Sequence, residues 1–295
     1  MVIALSGKKV DASFKPKLVN LFKSLGQRDV ELYFHLPYYL YLTETLQIVL
    51  PDCPLFEDAS QLPSDTSFLL AVGGDGTFLK AVSIVGDRNI PIAGVNFGHL
   101  GFLTTVQPTE DESWIDDLIS GKYVIQKRML LKVTSDHLPE GLSPYAVNEV
   151  SLQRQTPSML GVRIKVNGRP LPVFWSDGIL VSTPTGSTAY NLSVGGPIVD
   201  PSSNVIIISP IAPHNLNVRP IVIPADSQLE ISYESSRKDD ARVTIDNRFF
   251  GLPDNGKIFV STAEFEFQYI GFSNTTFISA LKEKLMWGED KRNTR

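Results

Sequence analysis

The sequence predicts a chain of two parts, a parallel layered α/β unit followed by an antiparallel β domain. Three observations carry that expectation. Apolar, β-favouring runs alternate with helix-period stretches as far as about Ile119, a pattern that implies strands covered by helices. From Tyr123 to Phe267 short β-rich pieces follow one another instead, separated by turn residues. Between Ser67 and Lys80 an apolar run passes abruptly through glycines into a helical pattern, as a strand, a tight loop and a helix would. A chain of 295 residues is long enough to bury two cores.

Val2 to Leu5 reads as a buried strand. Phe14, Leu18, Leu21, Phe22 and Leu25 then recur at helical spacing until Gly26 ends the pattern. Val30 to Phe34 resembles a second strand. The following segment carries Pro37, Pro51, Pro54 and Pro63, and a helix is expected near Tyr39 to Leu46. Phe68 to Val72 is the strand before the glycine-rich loop, a helix runs from there to about Val85, and Pro91 to Asn96 is another short buried strand. In such a unit ligands collect at the carboxyl ends of the strands, where Asn96-Phe97-Gly98-His99-Leu100-Gly101-Phe102-Leu103 also falls. Trp114 to Ile119 suits a short helix.

The β half contains Leu130 to Thr134, Glu149 to Gln153, Val162 to Val166, Gly178 to Ser182, Val205 to Ser209, Leu229 to Tyr233, Arg242 to Ile245 and Lys257 to Ser261. Asn167-Gly168 marks a hairpin turn. Phe277, Leu281 and Leu285 form an apolar stripe on a last amphipathic helix, which is expected to pack on the first unit, with an oligomer contact as the alternative. From about Gly288 the chain is expected to fray.

The loop itself is Gly73-Gly74-Asp75-Gly76-Thr77. Its glycines lack Cβ atoms where the backbone turns or lets a ligand approach, and the helix behind it presents unpaired N–H groups that suit phosphate. A carboxylate there has two uses: to accept a proton from an attacking hydroxyl, or to meet phosphate through a divalent cation. An ordinary surface turn is the alternative. The loop lacks the Gly-Lys-Ser/Thr ending of a Walker A motif and is not a GxGxxG fingerprint.

Bulk properties narrow the classes. A formal charge of −5 argues against a general nucleic-acid surface and toward small-molecule partners. Cys53 is the only cysteine, so no intramolecular disulfide forms, and four histidines without zinc-ligand spacing leave no metal ligands to assign. The first residues lack the organisation of a signal peptide, and apolar runs stop well short of the ~20 residues that span a bilayer, so a cytoplasmic protein without a membrane partner is expected.

Two further polar stretches stand out. Asn148-Glu149 interrupts an apolar strand pattern, and neighbouring residues on a strand point to opposite faces, so one of the pair is expected to meet a ligand. An amide beside a carboxylate suits the paired hydroxyls of a ribose, while an edge strand with both residues solvated is the alternative. Asp177 to Ser193 begins with an acid, passes a Pro/Gly turn rich in hydroxyls, and enters a helical segment that Ser187 or Thr188 could cap, with Tyr190 available to a base. No GxSxG elbow supports a Ser-His-Asp nucleophile.

VGGDGT around Asp75, GVNFGHLGFL, Asn148-Glu149, DGILVSTPTGSTAYNLSVGGP and SPIAPHNLNVRPIV together resemble the NAD kinase family, in its motif order, from about Phe68 to Phe250. GGDGT alone is shared with diacylglycerol and sphingosine-type lipid kinases and resembles the phosphofructokinase loop; TPTGSTAY after an Asn-Glu pair discriminates. The resemblance implies a Rossmann-like N-terminal domain, 1–107 with the returning segment 268–295, and a β-sandwich NAD-binding domain, 108–267. It implies transfer of the γ-phosphoryl of ATP, with a divalent cation such as Mg²⁺, to the 2′-hydroxyl of the adenosine ribose of NAD, giving NADP, in a homodimer or homotetramer. By the same resemblance Asp75 is the general base, and Asp75, Gly76, Asn148, Glu149, Asp177, Thr188, Ala189, Tyr190, Asn191, Leu192, Ser193 and Arg248 bind NAD. Gly73, Gly74, Gly76 and Thr77 form the phosphate loop.

The sequence departs from the family at Phe174-Trp175-Ser176, where many relatives carry a basic residue before the Asp-Gly pair, and at Gly7-Lys8-Lys9, where many carry an Asn-Pro turn. A lipid kinase and a noncatalytic nucleotide-sensing module are the alternatives; the first lacks a basic amphipathic membrane-binding segment here.

Overall fold

In the computed structural model, which describes residues 1–98, 101–104, 106, 113–272 and 276–286, the chain divides into two compact units. One comprises Met1–Lys127 and Phe267–Arg295, the other Arg128–Glu266. The boundary therefore falls at Lys127, later than the expected 107. The reason is the helix Ser113–Ile119, whose Trp114, Ile115 and Leu118 are buried in the core of the first unit.

The first unit runs β1 (Val2–Gly7), α1 (Lys15–Gly26), β2 (Glu31–His35), α2 (Leu36–Leu40), β3 (Leu55–Phe56), β4 (Thr66–Val72), α3 (Asp75–Val85), β5 (Ile92–Val95) and α4 (Ser113–Ile119). Its strands pair in parallel in the order β5-β4-β1-β2-β3. Ile3, Ala4 and Leu5 are buried without an exposed face, as a central parallel strand between helices requires. α1 buries Leu18, Leu21, Phe22 and Leu25, the positions its spacing predicts. The helix expected at Tyr39 to Leu46 begins earlier, at Leu36, because Pro37 occupies a first-turn position where a missing N–H is harmless; a wider turn over Tyr41–Thr45 continues it.

The second unit contains most of β6 (Val124–Thr134), β7 (Tyr145–Ala146), β8 (Glu149–Arg154), β9 (Leu160–Val166), β10 (Arg169–Pro170), β11 (Phe174–Ser176), β12 (Gly178–Ser182), α5 (Tyr190–Ser193), β13 (Val205–Ile211), β14 (Ile221–Pro224), β15 (Leu229–Glu234), β16 (Ala241–Ile245), β17 (Arg248–Leu252) and most of β18 (Lys257–Gly271). Six strands pair antiparallel in the order β14-β13-β12-β8-β16-β17, and β10-β9-β15-β18 form a second antiparallel ladder. Alternate inward residues, such as Val150, Leu152, Val162, Ile164, Val181 and Val243, share one core. Asn167 and Gly168 turn the β9–β10 hairpin with φ of 50° and 78°, the left-handed pair that an Asn-Gly turn adopts.

β18 ends in the first unit, where Tyr269 pairs in parallel with Ile92 of β5. The last helix, α6 (Phe277–Leu285), also belongs to that unit, as expected. Thr276 and Ser279 close a reciprocal capping box at its start, and Ala280 and Leu281 are buried. The expected fraying from Gly288 lies outside the described residues, as do His99 and Leu100 of the GVNFGHLGFL stretch.

Candidate active site

The glycine-rich loop sits at the carboxyl end of β4, where a parallel α/β unit places its ligands. Gly73 adopts φ of 145°, and a Cβ there would stand 2.4 Å from Thr77 Oγ1, so the strand-to-helix turn needs glycine at this position. Asp75 is the first residue of α3, a helix end that favours a negative charge. Its carboxylate is held from outside the helix. Oδ2 accepts the Phe102 N–H at 2.8 Å, while Oδ1 accepts the N–H groups of Leu103 and Thr104 at 3.1 and 3.0 Å and the Thr104 hydroxyl at 2.9 Å.

That grip depends on Gly101, because a Cβ there would stand 1.8 Å from Asp75 Oδ1. Gly76 is exposed, with the Lys8 ammonium 4.0 Å from where its Cβ would be, so the Gly7-Lys8-Lys9 departure brings a cation to the loop. Lys284 of α6 lies with its Nζ 4.1 Å from the centroid of the Phe102 ring.

The second unit builds a separate polar corner around Asn148-Glu149. Asp246, in a left-handed turn with φ of 51°, buries its carboxylate against the chain and accepts the N–H groups of Val147, Asn148 and Glu149 at 2.9, 2.8 and 3.2 Å. Arg248 stands 3.7 Å from Asp246 and donates to the Tyr145 carbonyl, which places it at the same corner. Burial, and then the Asp246 carboxylate, push the Glu149 carboxyl up to about 8, against a hydrogen bond from the Tyr190 N–H. Glu149 Oε2 is buried without a hydrogen-bond partner among the described residues.

The hydroxyl-rich turn closes on this corner. Thr183 donates its N–H to the Asn148 carbonyl at 2.9 Å and its hydroxyl to the Val147 carbonyl at 2.6 Å. Gly186 packs so closely that a Cβ would stand 2.1 Å from the Asn148 oxygen. Thr188 and Ala189 are half-buried, while Tyr190 and Ser193 are exposed.

A chain with a glycine-anchored carboxylate and a buried acid-amide corner invites comparison with known nucleotide enzymes. The profile described as ATP-NAD kinase N-terminal domain matches residues 57–123, and that described as ATP-NAD kinase C-terminal domain matches residues 147–272. The NAD kinase of Flavobacterium psychrophilum is 37% identical over 99% of this chain and 100% of its own length. The chain belongs to the NAD kinase family. The Bacteroides fragilis NAD kinase is likewise 37% identical over 99% of this chain and 100% of its own length. Among solved structures, yeast NADH kinase complexed with NADH matches with a TM-score of 0.85 and 25% identity, over 100% of this chain and 90% of the yeast chain. The Archaeoglobus fulgidus NAD kinase in complex with ATP matches with a TM-score of 0.72 and 26% identity, over 97% and 99% of the two chains. These matches identify a phosphotransferase acting on NAD, and none of them supports the lipid-kinase alternative.

As an NAD kinase family member, the chain brings together Asn148, Glu149, Thr188, Ala189, Tyr190 and Arg248 but not every residue expected to share their ligand. Asp177 precedes β12, whose Ser182 pairs with Glu149 while Gly178 pairs with Gln153, so it lies roughly 16 Å farther along the strands, at about 3.3 Å per residue. There it meets Arg154 at 2.9 Å, so β8 supplies the basic partner that Phe174-Trp175-Ser176 lacks.

Asn191 departs most from its expected role in dinucleotide binding. It is fully buried, donates to the Ser187 and Pro197 carbonyls at 3.2 and 3.1 Å, and accepts the Ser209 hydroxyl at 2.7 Å, so its amide locks the turn. Neither Ser187 nor Thr188 caps α5; the Ser187 hydroxyl instead bridges the N–H and carbonyl of Val199. Thr104, Arg154, Asp246 and Lys284 are given no role by the sequence, whereas Gly101 falls in the stretch expected at the carboxyl ends of the strands. Of those four only Asp246, beside Arg248 in a strand-turn-strand pattern, carries a local signal.

Proposed function

We propose that this chain transfers the γ-phosphoryl of ATP to the 2′-hydroxyl of the adenosine ribose of NAD, with Asp75 as the general base. The ribose oxygen attacks the γ-phosphorus, the bond from that phosphorus to the β,γ-bridging oxygen breaks, ADP leaves, and the hydroxyl proton passes to Asp75. The observation that carries the assignment is the asymmetric hold on its carboxylate: Oδ1 accepts three hydrogen bonds and Oδ2 one. The backbone thus orients the group while Oδ2 keeps capacity for a proton. Gly73, Gly74, Gly76 and Thr77, with the Lys8 ammonium beside Gly76, suit the phosphates.

Asn148, Glu149, Thr188, Ala189, Tyr190 and Arg248 bind the dinucleotide in this reading, with Ser193 and Leu192 at the edge of the same turn. Among the described residues no cluster of three or more acidic, His or Cys side chains forms a metal cage. In this reading a divalent cation such as Mg²⁺ would accompany the ATP phosphates and neutralise their charge when bound. Asp177 stands apart from Glu149 within the second unit, which favours a homodimer or homotetramer in which another subunit uses it. Among the described residues no helix is long and apolar enough to cross a membrane. A cytoplasmic role in NADP biosynthesis follows from this reading, and the yeast relative bound to NADH makes NADH a second acceptor to test.

The test is a coupled assay of NADP formation. Asp75→Asn is expected to lower turnover by ~10²-fold or more while leaving the KM for NAD largely unchanged. Unchanged turnover would remove Asp75 from the base role.

A further inference from the structure

The C-terminal helix carries a cation that the reaction as described leaves unused. Lys284, in the last turn of α6, places its Nζ over the Phe102 ring at 4.1 Å from the centroid, and that nitrogen is buried with no hydrogen-bond partner among the described residues. Burying an ammonium without an acceptor is unfavourable, and a methionine would cover the same ring without that penalty. Two features offset it, the face of the ring and the negative charge of Asp75. Phe102 is itself the residue whose N–H holds Asp75 Oδ2. Ammonium, ring, backbone N–H and carboxylate therefore form one chain of contacts running from α6 to the start of α3.

We propose that Lys284 is a positioning residue for phosphoryl transfer, seating the Phe102–Thr104 turn against Asp75 and supplying positive charge beside that carboxylate. The proposal rests on the reading of Asp75 as the base. Burial lowers the Lys284 amine to about 8, opposed by Asp75 from α3 and Glu283 from its own helix, so the cation is lost as pH rises through that value. A group that only filled space would leave no trace of that titration.

Three measurements on the full-length enzyme decide it. Lys284→Met is expected to lower kcat roughly ten- to a hundredfold at pH 7, the scale of a misplaced catalytic group, with the KM for NAD within about twofold and the melting temperature close to that of the parent. Lys284→Arg, which keeps a cation over the ring, is expected to restore kcat and to remove the fall in kcat that the parent shows as pH rises through about 8. In an Asp75→Asn background, Lys284→Met is expected to have no further effect, since residues acting as a unit are not additive. Parent-like kcat in Lys284→Met overturns the proposal, as does an equal loss in the Asp75→Asn background or a retained basic limb in Lys284→Arg. If Asp75→Asn itself leaves turnover unchanged, the base reading and this proposal fail together; sensitivity to Asp75→Asn with indifference to Lys284→Met sinks the proposal alone.

Discussion

At the residue scale, Glu149 shows how a local signal and its chemistry come apart. Its position is legible because a charged residue interrupts an apolar strand pattern, but its protonation depends first on burial and then on Asp246, ninety-seven residues away in sequence. With its carboxyl pushed up to about 8, Glu149 favours the protonated form, which can donate as well as accept, whereas a carboxylate only accepts. The sign for stability follows from linkage. The folded-state value lies above the ordinary value of 4.5, so the contribution is full below about 4.5 and is lost as pH rises to about 8. Glu149→Gln is expected to flatten this fall, leaving the residual slope of Asp246, which burial also pushes up. Calorimetric melting temperatures of parent and variant at pH 5 and pH 8 check it: the variant should lose less on going to pH 8.

At the element scale, the unit of function is a helix start clasped by a distant turn. The glycines and Asp75 announce the β4–α3 loop because strand period, glycine and helix period change within a few residues. The stretch holding Gly101, Phe102 and Leu103 is legible as a loop at the strand ends, but the clasp itself is not, since its donors are main-chain N–H groups of Phe102, Leu103 and Thr104, which any residue types could supply. Gly101 is the position where side-chain size matters. Gly101→Ala is expected to push the turn off Asp75, lowering kcat by ~10²-fold while NAD still binds, as small misplacements of a catalytic group do. Steady-state kinetics beside a dinucleotide-binding titration check this, and a parent-like kcat would show that the turn accommodates the methyl. The same contrast holds for Asn191, whose place in a Ser/Thr-rich turn suggested ligand contact, while its partners Pro197 and Ser209 turn it inward.

At the scale of the whole molecule, each unit owns a core, but only the second is continuous in sequence. The first takes back the end of β18 and α6, with Ile270 in its core and Tyr269 pairing β5. A fragment spanning 128–266 is therefore expected to melt cooperatively on its own. A fragment spanning 1–127, lacking the neighbour strand of β5, is expected to melt broadly; circular dichroism of both on heating checks this, and a sharp transition in 1–127 would contradict it. The alternation of longer strands and helices in the first unit, the change from parallel to antiparallel character, the glycine-rich loop and the Asn148-Glu149 break were determined by sequence alone, because periodicity and turn chemistry act over a few neighbouring residues; short strands such as β3, β7, β11 and β14 were not. The clasp on Asp75, the proton on Glu149, the inward amide of Asn191 and the seat of Lys284 were decided only by tertiary structure. Burial and hydrogen-bond partnership depend on groups tens of residues away, which no local pattern encodes.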